Sequence, residues 1–333
     1  MKHIVLTDRL RAPTIRPPQG LARLRQGVED DARRLLLHGK LETVPCPACE
    51  STDSSEAFSS NGFTYRECRE CGSLYVSPRP APDALVRFYR DSEAGRLRVQ
   101  YFTEATAAAR MQHIVASRVD WVAQVLDRHS SDGSNFADTG TMYPLLFNEM
   151  RRLGRFDLMF AIDPPPTVRD QFGAEDIVVG WPTPETVSAL TAFEQFEHQS
   201  APFAFLKQLR NLLAERGVLF LTARTVSGFD LQILWDRTPY IFVPDHLNLL
   251  SVEGIEMLLE RAGFDALELS TPGQLDVELV MDAVRSDPSI EIPRFLRHML
   301  AKRSDDTLAD LQAFLQKHRL SSHVRVAARR QGA

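Results

Sequence analysis

The chain has no apolar run near the roughly 18 residues that a membrane span requires. Its opening residues offer only Ile4-Val5-Leu6, too short for the core of a signal peptide, so a cytoplasmic location is expected. Basic excess is missing too. The net charge is -5, which gives no global positive field for non-specific nucleic-acid binding. There is no internal repeat and no low-complexity tail. What remains is an ordinary globular composition, with 44% hydrophobic and 25% charged residues. Its 333 residues are enough for about two domains.

Cysteine is scarce, and its placement is informative. All four cysteines fall in two knuckles, Cys46-Pro-Ala-Cys49 and Cys68-Arg-Glu-Cys71. The loop of about 18 residues between them lies within the spacing of a structural zinc site. Four thiolates close a tetrahedral ion and leave no position for water, so such a site is structural. Two disulfides or free thiols are the other readings; a cytoplasmic setting argues against the disulfides. Phe63-Thr-Tyr65 between the pairs has strand character, as a small ribbon needs.

The stretch Asn135 to Asp163 reads as strand, tight turn, helix, strand. Phe136-Ala137 lead into Asp138-Thr139-Gly140; Leu145, Leu146, Met150 and Leu153 then recur at helical spacing up to Gly154. Phe156 to Ile162 is a second apolar run closed by Asp163. An acid about 20 positions after a glycine turn, at the tip of the next strand, is where a nucleotide-binding βαβ unit holds ribose hydroxyls. The turn departs from the usual pattern: Met142 and Pro144 stand where further glycines are expected. Proline is compatible with a first helical position; Met142 has no such excuse.

The rest of the chain frames this unit. Residues 1–40 read as an arm held extended by Pro13, Pro17 and Pro18, then a helix over Val28 to His38. Residues 41–82 are the ribbon, and 83–130 a helical connector with an apolar stripe from Met111 to Leu126. Residues 131–333 alternate strands with helices, the strands falling at 176–180, 188–193, 218–223, 266–269 and 322–328. The run Pro164-Pro165-Pro166 predicts that no helix follows Asp163 at once. Helices at 276–285, 293–302 and 305–318 form an insert within 275–320. This alternation predicts an α/β, doubly wound, Rossmann-like sheet of parallel strands. Ligands of such sheets sit at the carboxyl ends of the strands, which gathers Gly140, Asp163, Trp181, Glu194, Glu197 and His198 at one cleft.

With these residues in place, the chain resembles the class I S-adenosylmethionine-dependent methyltransferases. It is similar to the branch with an N-terminal zinc ribbon, whose relatives include sugar C-methyltransferases. The resemblance rests on the ribbon followed by Ser77-Pro-Arg-Pro, on Thr191-Ala-Phe-Glu-Gln-Phe-Glu-His198, on Asp245-His-Leu-Asn248 and on Leu258-Leu-Glu-Arg-Ala-Gly-Phe264. It implies a seven-stranded sheet with the last strand antiparallel, a place that Ser322–Ala328 can fill. S-adenosylmethionine and structural zinc are the implied cofactors. Asp138, Gly140, Met142, Phe193 and Glu194 fall on the segments that border the cofactor, and Asp163 falls on the ribose carboxylate. Trp181 stands where the family often has an acid for the adenine amino group, and it either stacks on the purine or fills space.

Glu197 and His198 fall where sugar-modifying relatives place a general base, with Glu197 able to fix the histidine's tautomer; His246 is a further candidate. The implied activity is methyl transfer to a small-molecule acceptor, a sugar or sugar-nucleotide, with no nucleic-acid or membrane partner. Two alternatives stay open. One is an inactive methyltransferase-fold scaffold, on the strength of Met142 and Pro144; the other is a zinc-ribbon nucleic-acid binder, against which the charge counts.

Overall fold

Seven strands share one sheet, and their order explains where a ligand can sit. In the computed structural model, residues 10–101, 106–129, 134–140 and 144–332 are described; Met142 lies outside them. The N-terminal arm forms α1 (Ala12–Ile15) and α2 (Pro18–Leu35). It is therefore not extended, and the helix expected from Val28 starts at Pro18. The prolines begin helices here because a first-turn position needs no N–H donor.

The ribbon follows as β1 (Leu41–Glu42), β2 (Ser54–Ser60), β3 (Phe63–Cys68), β4 (Leu74–Val76) and β5 (Arg79–Pro80). Next come α3 (Pro82–Asp91), α4 (Glu93–Gln100), α5 (Ala107–Arg110) and α6 (Ala116–His129), with a π turn over Met111–Val115 between the last two. The long connector helix expected here is thus continuous over 107–129, with the π turn as a bulge within it.

The large sheet opens with β6 (Asn135–Thr139), α7 (Leu145–Arg152), β7 (Leu158–Ile162), α8 (Pro166–Arg169) and β8 (Ile177–Val179). No helix follows Asp163 at once, as expected; a short one begins at Pro166, again with proline in its first turn. Then come β9 (Val187–Phe193), α9 (Pro202–Leu212), β10 (Leu213–Arg224) and α10 (Phe229–Leu234). The chain ends with β11 (Asn248–Leu249), α11 (Val252–Arg261), β12 (Phe264–Ser270), α12 (Asp276–Ser286), α13 (Arg294–Lys302), α14 (Asp305–Lys317) and β13 (His323–Arg330).

The sheet runs β12-β13-β10-β9-β6-β7-β8. β13 is antiparallel to both of its neighbours, and the pairs from β10 to β8 are parallel. This is the seven-stranded, doubly wound arrangement expected from the sequence, with its antiparallel strand in place. Strand alternation buries both faces. Ala137, Leu219 and Leu221 pack with Leu206 of α9 and Leu258 of α11. On the other side Phe136, Val218 and Phe220 pack with Val122 of α6 and Met150 of α7. The strand order reverses between β6 and β9, which opens a crevice at their carboxyl ends.

The ribbon is not closed on itself. β11, from the loop after β10, pairs with β4 and extends the ribbon sheet to β11-β4-β3-β2. That pairing was not legible, because the two residues of β11 carry no strand periodicity.

Candidate active site

The turn after β6 ends in Gly140, whose N–H donates to Ile162 O at 3.1 Å. Gly140 has a φ of +67°, and a Cβ there would meet Gln195 Oε1 at 2.3 Å. Glycine is thus favoured by the left-handed backbone, while the Gln195 amide lies where a side chain would go. Asp163 closes β7 with its side chain in solvent, and Trp181 Nε1 donates to its Oδ1 at 3.3 Å. The indole is 41% exposed and lies over the carboxylate at the sheet's tip. Asp138 turns inward instead. It is buried and accepts from the Thr191 hydroxyl on the neighbouring strand. Burial pushes its carboxyl up to about 7, against the pull of Thr191 and Arg118.

Beyond β9 lies a partly open cavity of about 190 Å³, called the chamber below. Glu194, Glu197, His198 and His246 all line it; Gly140, Asp163 and Trp181 do not. The residues expected at one cleft thus lie along one edge of the sheet: Gly140, Asp163 and Trp181 at the tips of β6 to β8, and the others in the adjoining chamber beyond β9. Glu194, at the carboxyl end of β9, belongs to the chamber and pairs with Arg118 at 2.5 Å. Burial would raise its carboxyl, but Arg118, His323 and Arg110 outweigh that and hold it well below the usual carboxylate range.

Glu197 is buried, and its Oε1 accepts the Arg224 N–H at 2.6 Å, while Oε2 has no partner among the described residues. Burial raises this carboxyl to about 7, opposed by the Arg224 N–H and reinforced by Glu194. The expected Glu197–His198 hydrogen bond is absent: the glutamate is held by the β10 backbone. His198 pairs with Arg98, its Nε2 lying 2.7 Å from Nη2. A guanidinium can only donate, so Nε2 accepts and the neutral ring keeps its proton on Nδ1. Burial first, then Arg98 and His246, keep this imidazole well below the usual histidine range. Burial and Arg224 bring His246 down to about 3.

The four cysteine Sγ atoms lie within 4.8 Å of one another, with Cys46–Cys71 at 3.6 Å and Cys49–Cys68 at 3.5 Å. A zinc ion with Zn–S bonds of about 2.3 Å needs S–S edges of about 3.8 Å, so the group can hold a metal as it stands. Ser251, the N-cap of α11, donates to Cys71 O, and its N–H donates to Ser73 Oγ at 3.1 Å. From there the contacts lead to the chamber. Val76 N–H donates to Leu247 O at 2.9 Å, and Leu247 N–H donates to Glu197 O at 2.7 Å. Asn248 Nδ2 donates to Phe196 O at 2.8 Å and to Gln199 O at 2.7 Å.

Several chamber residues went unread in the sequence: Arg16, Arg98, Arg118, Arg224, His323 and Arg325. Two signals were available. Arg118 shares the apolar stripe of Val115, Val119 and Val122, and His323 and Arg325 alternate with Val324 and Val326. A charge on an apolar face asks for a partner inside.

The sequence profile of a family described as "Methyltransferase domain" matches residues 107–269. A tRNA U34 carboxymethyltransferase of Campylobacter lari is 33% identical over 81 residues, 24% of this chain and 28% of that protein. The match thus spans well under half of that relative. Among solved structures, an S-adenosylmethionine-dependent methyltransferase from Archaeoglobus fulgidus is 12% identical. It aligns over 64% of this chain and 94% of its own, with a TM-score of 0.40. Coclaurine N-methyltransferase, bound to N-methylheliamine and S-adenosylhomocysteine, is also 12% identical, over 65% and 70%, with a TM-score of 0.39.

Proposed function

We propose, from the chain's place among the class I S-adenosylmethionine-dependent methyltransferases, that it methylates a small acceptor held in the chamber, with Glu197 as general base. The cofactor belongs at the tips of β6 to β8. Gly140 keeps that turn free of a side chain, and Asp163 offers a carboxylate suited to ribose hydroxyls at the strand tip. When bound, S-adenosylmethionine supplies a methyl group on a sulfonium, transferred by in-line displacement. The protein's share is then alignment, exclusion of water and removal of the acceptor's proton. The chamber's volume suits a single sugar ring better than a polymer. The four thiols are read as a closed zinc site that fixes the chamber wall.

The observation that carries the base assignment is Glu197 Oε2, buried and partnerless in the chamber wall. A carboxyl raised to about 7 is protonated below that pH and competent above it. The methylation rate is therefore expected to rise through pH 7. Glu197→Gln should cost about 10²- to 10⁴-fold in kcat and abolish the rise. His198, which burial keeps well below the usual histidine range, would instead give a profile flat through neutral pH, and that outcome would move the base away from Glu197.

A further inference from the structure

More guanidinium than carboxyl groups line the chamber, whose acids are Glu194, Glu197, Asp245 and Asp276. Guanidinium groups of Arg16, Arg98, Arg110, Arg118, Arg224 and Arg325 line it. Among the described residues, Arg98 pairs with Asp245 at 3.3 Å, Arg118 with Glu194 at 2.5 Å, and Arg224 with Asp230 at 2.6 Å. Arg16 and Arg325 have no carboxylate within 4 Å among the described residues. Arg16 Nη1 and Arg325 Nε are buried without a hydrogen-bond partner.

Both side chains are nevertheless held in place. Arg16 lies over the Tyr240 ring at 5.2 Å. Arg325 lies over Trp121 at 5.6 Å and donates to Ser117 Oγ at 2.8 Å. Burial, with Arg224 and Arg110 nearby and Asp230 and Tyr240 opposing them, brings Arg16 down to about 10; burial and Arg118 bring Arg325 down to about 9. Both stay charged at neutral pH. Buried, oriented cations without a directly paired carboxylate are unfavourable alone, and an anion in the chamber relieves them.

The arm that brings Arg16 is docked on the chamber. Ala12 and Ile15 pack on Leu275 and Leu279, Arg11 pairs with Glu278 at 3.1 Å, and Arg110 Nη2 donates to Ile15 O at 2.9 Å. We infer that the methyl acceptor carries an oxyanion, a phosphate or a carboxylate, which Arg16 receives as the arm covers the chamber, with Arg325 as the second cation lacking a directly paired carboxylate. This rests on reading the chamber as the acceptor site.

The test uses the full-length, zinc-loaded protein saturated with S-adenosylhomocysteine. Inorganic phosphate, malonate and chloride are titrated at matched ionic strength, and melting temperature and heat are followed. Phosphate or malonate, but not chloride, should raise the melting temperature saturably by about 2 °C or more; whichever is preferred assigns the oxyanion. Arg16→Met and Arg325→Met should each weaken that binding at least 10-fold, Arg16→Lys should retain part of it, and the exposed Arg96→Met should leave it unchanged. Equal stabilisation by chloride, or undiminished binding in Arg16→Met and Arg325→Met, overturns the inference. S-adenosylhomocysteine binding, read first in the same titrations, reports separately on the methyltransferase reading.

Discussion

Cys68→Ser is expected to release the metal and unfold the ribbon together with one wall of the chamber. Cys68 is buried, its Sγ lies 3.5 Å from that of Cys49, and all four thiols converge. Structural zinc contributes about 10–16 kcal/mol to folding in small zinc-finger peptides, so losing one of four thiolates removes a large share of the ribbon's stability. The damage should not stop there. β4 holds β11 and Leu247, and those residues hold the backbone of Phe196, Glu197 and Gln199.

Metal analysis should give one zinc per wild-type chain and a substoichiometric amount in Cys68→Ser. Hydrogen exchange should show lost protection at residues 246–250 as well as in the ribbon. A chelator-treated protein with unchanged melting temperature and unchanged exchange at those residues would refute the structural role.

Glu194→Ala should destabilise the protein by about 3–5 kcal/mol, because it leaves Arg118 buried without its carboxylate. Arg118 is 2% exposed and Glu194 32% exposed, so the cost falls mainly on the stranded arginine. Its remaining neighbours offer partial relief: His323 is neutral and Arg325 is a second cation, but the Phe193 ring lies 5.0 Å away and Asp138 is within electrostatic reach, so the cost should fall at the low end of that range. At about 2 °C per kcal/mol for a chain of this size, the melting temperature should fall by about 6 °C. The double variant Arg118→Met/Glu194→Ala should recover part of the loss, since the isolated charge is then gone.

The pH dependence has a definite sign. Glu194 has a folded pKa depressed below its unfolded value of about 4.3, so its stabilisation is fully present above that pH and is lost as pH falls through the folded value. The gap between wild type and Glu194→Ala should therefore narrow below about pH 4. A gap that is constant from pH 7 to pH 3, or under 1 kcal/mol throughout, would mean that the pair contributes little.

Much of this fold was legible because periodicity and turn chemistry are local. The apolar runs around Phe136, Met159, Leu190 and Phe220 are strands, and the paired knuckles bring four thiols together. Prolines misled the reading of the arm. Pro18 opens a helix, since its missing N–H costs nothing in a first turn.

The chamber was only partly legible. Glu194, Glu197, His198 and His246 line it, but the arginines around them come from the arm, α4, α5, α6, β10 and β13, which no sequence spacing relates. The Glu197–His198 pairing failed for a physical reason. Adjacent residues in a tight turn, here Phe196–His198, point apart, and the nearer donor to Glu197 is the N–H of Arg224.

The central claim is a cofactor site at the tips of β6 to β8 serving the adjoining chamber. Calorimetric titration of the zinc-loaded protein with S-adenosylmethionine and S-adenosylhomocysteine tests it most directly, run beside Asp163→Ala. The expected result is one site per chain, weakened about 10- to 100-fold in the variant, as for loss of hydrogen bonds to a charged group. No heat and no thermal shift at millimolar ligand would contradict the account.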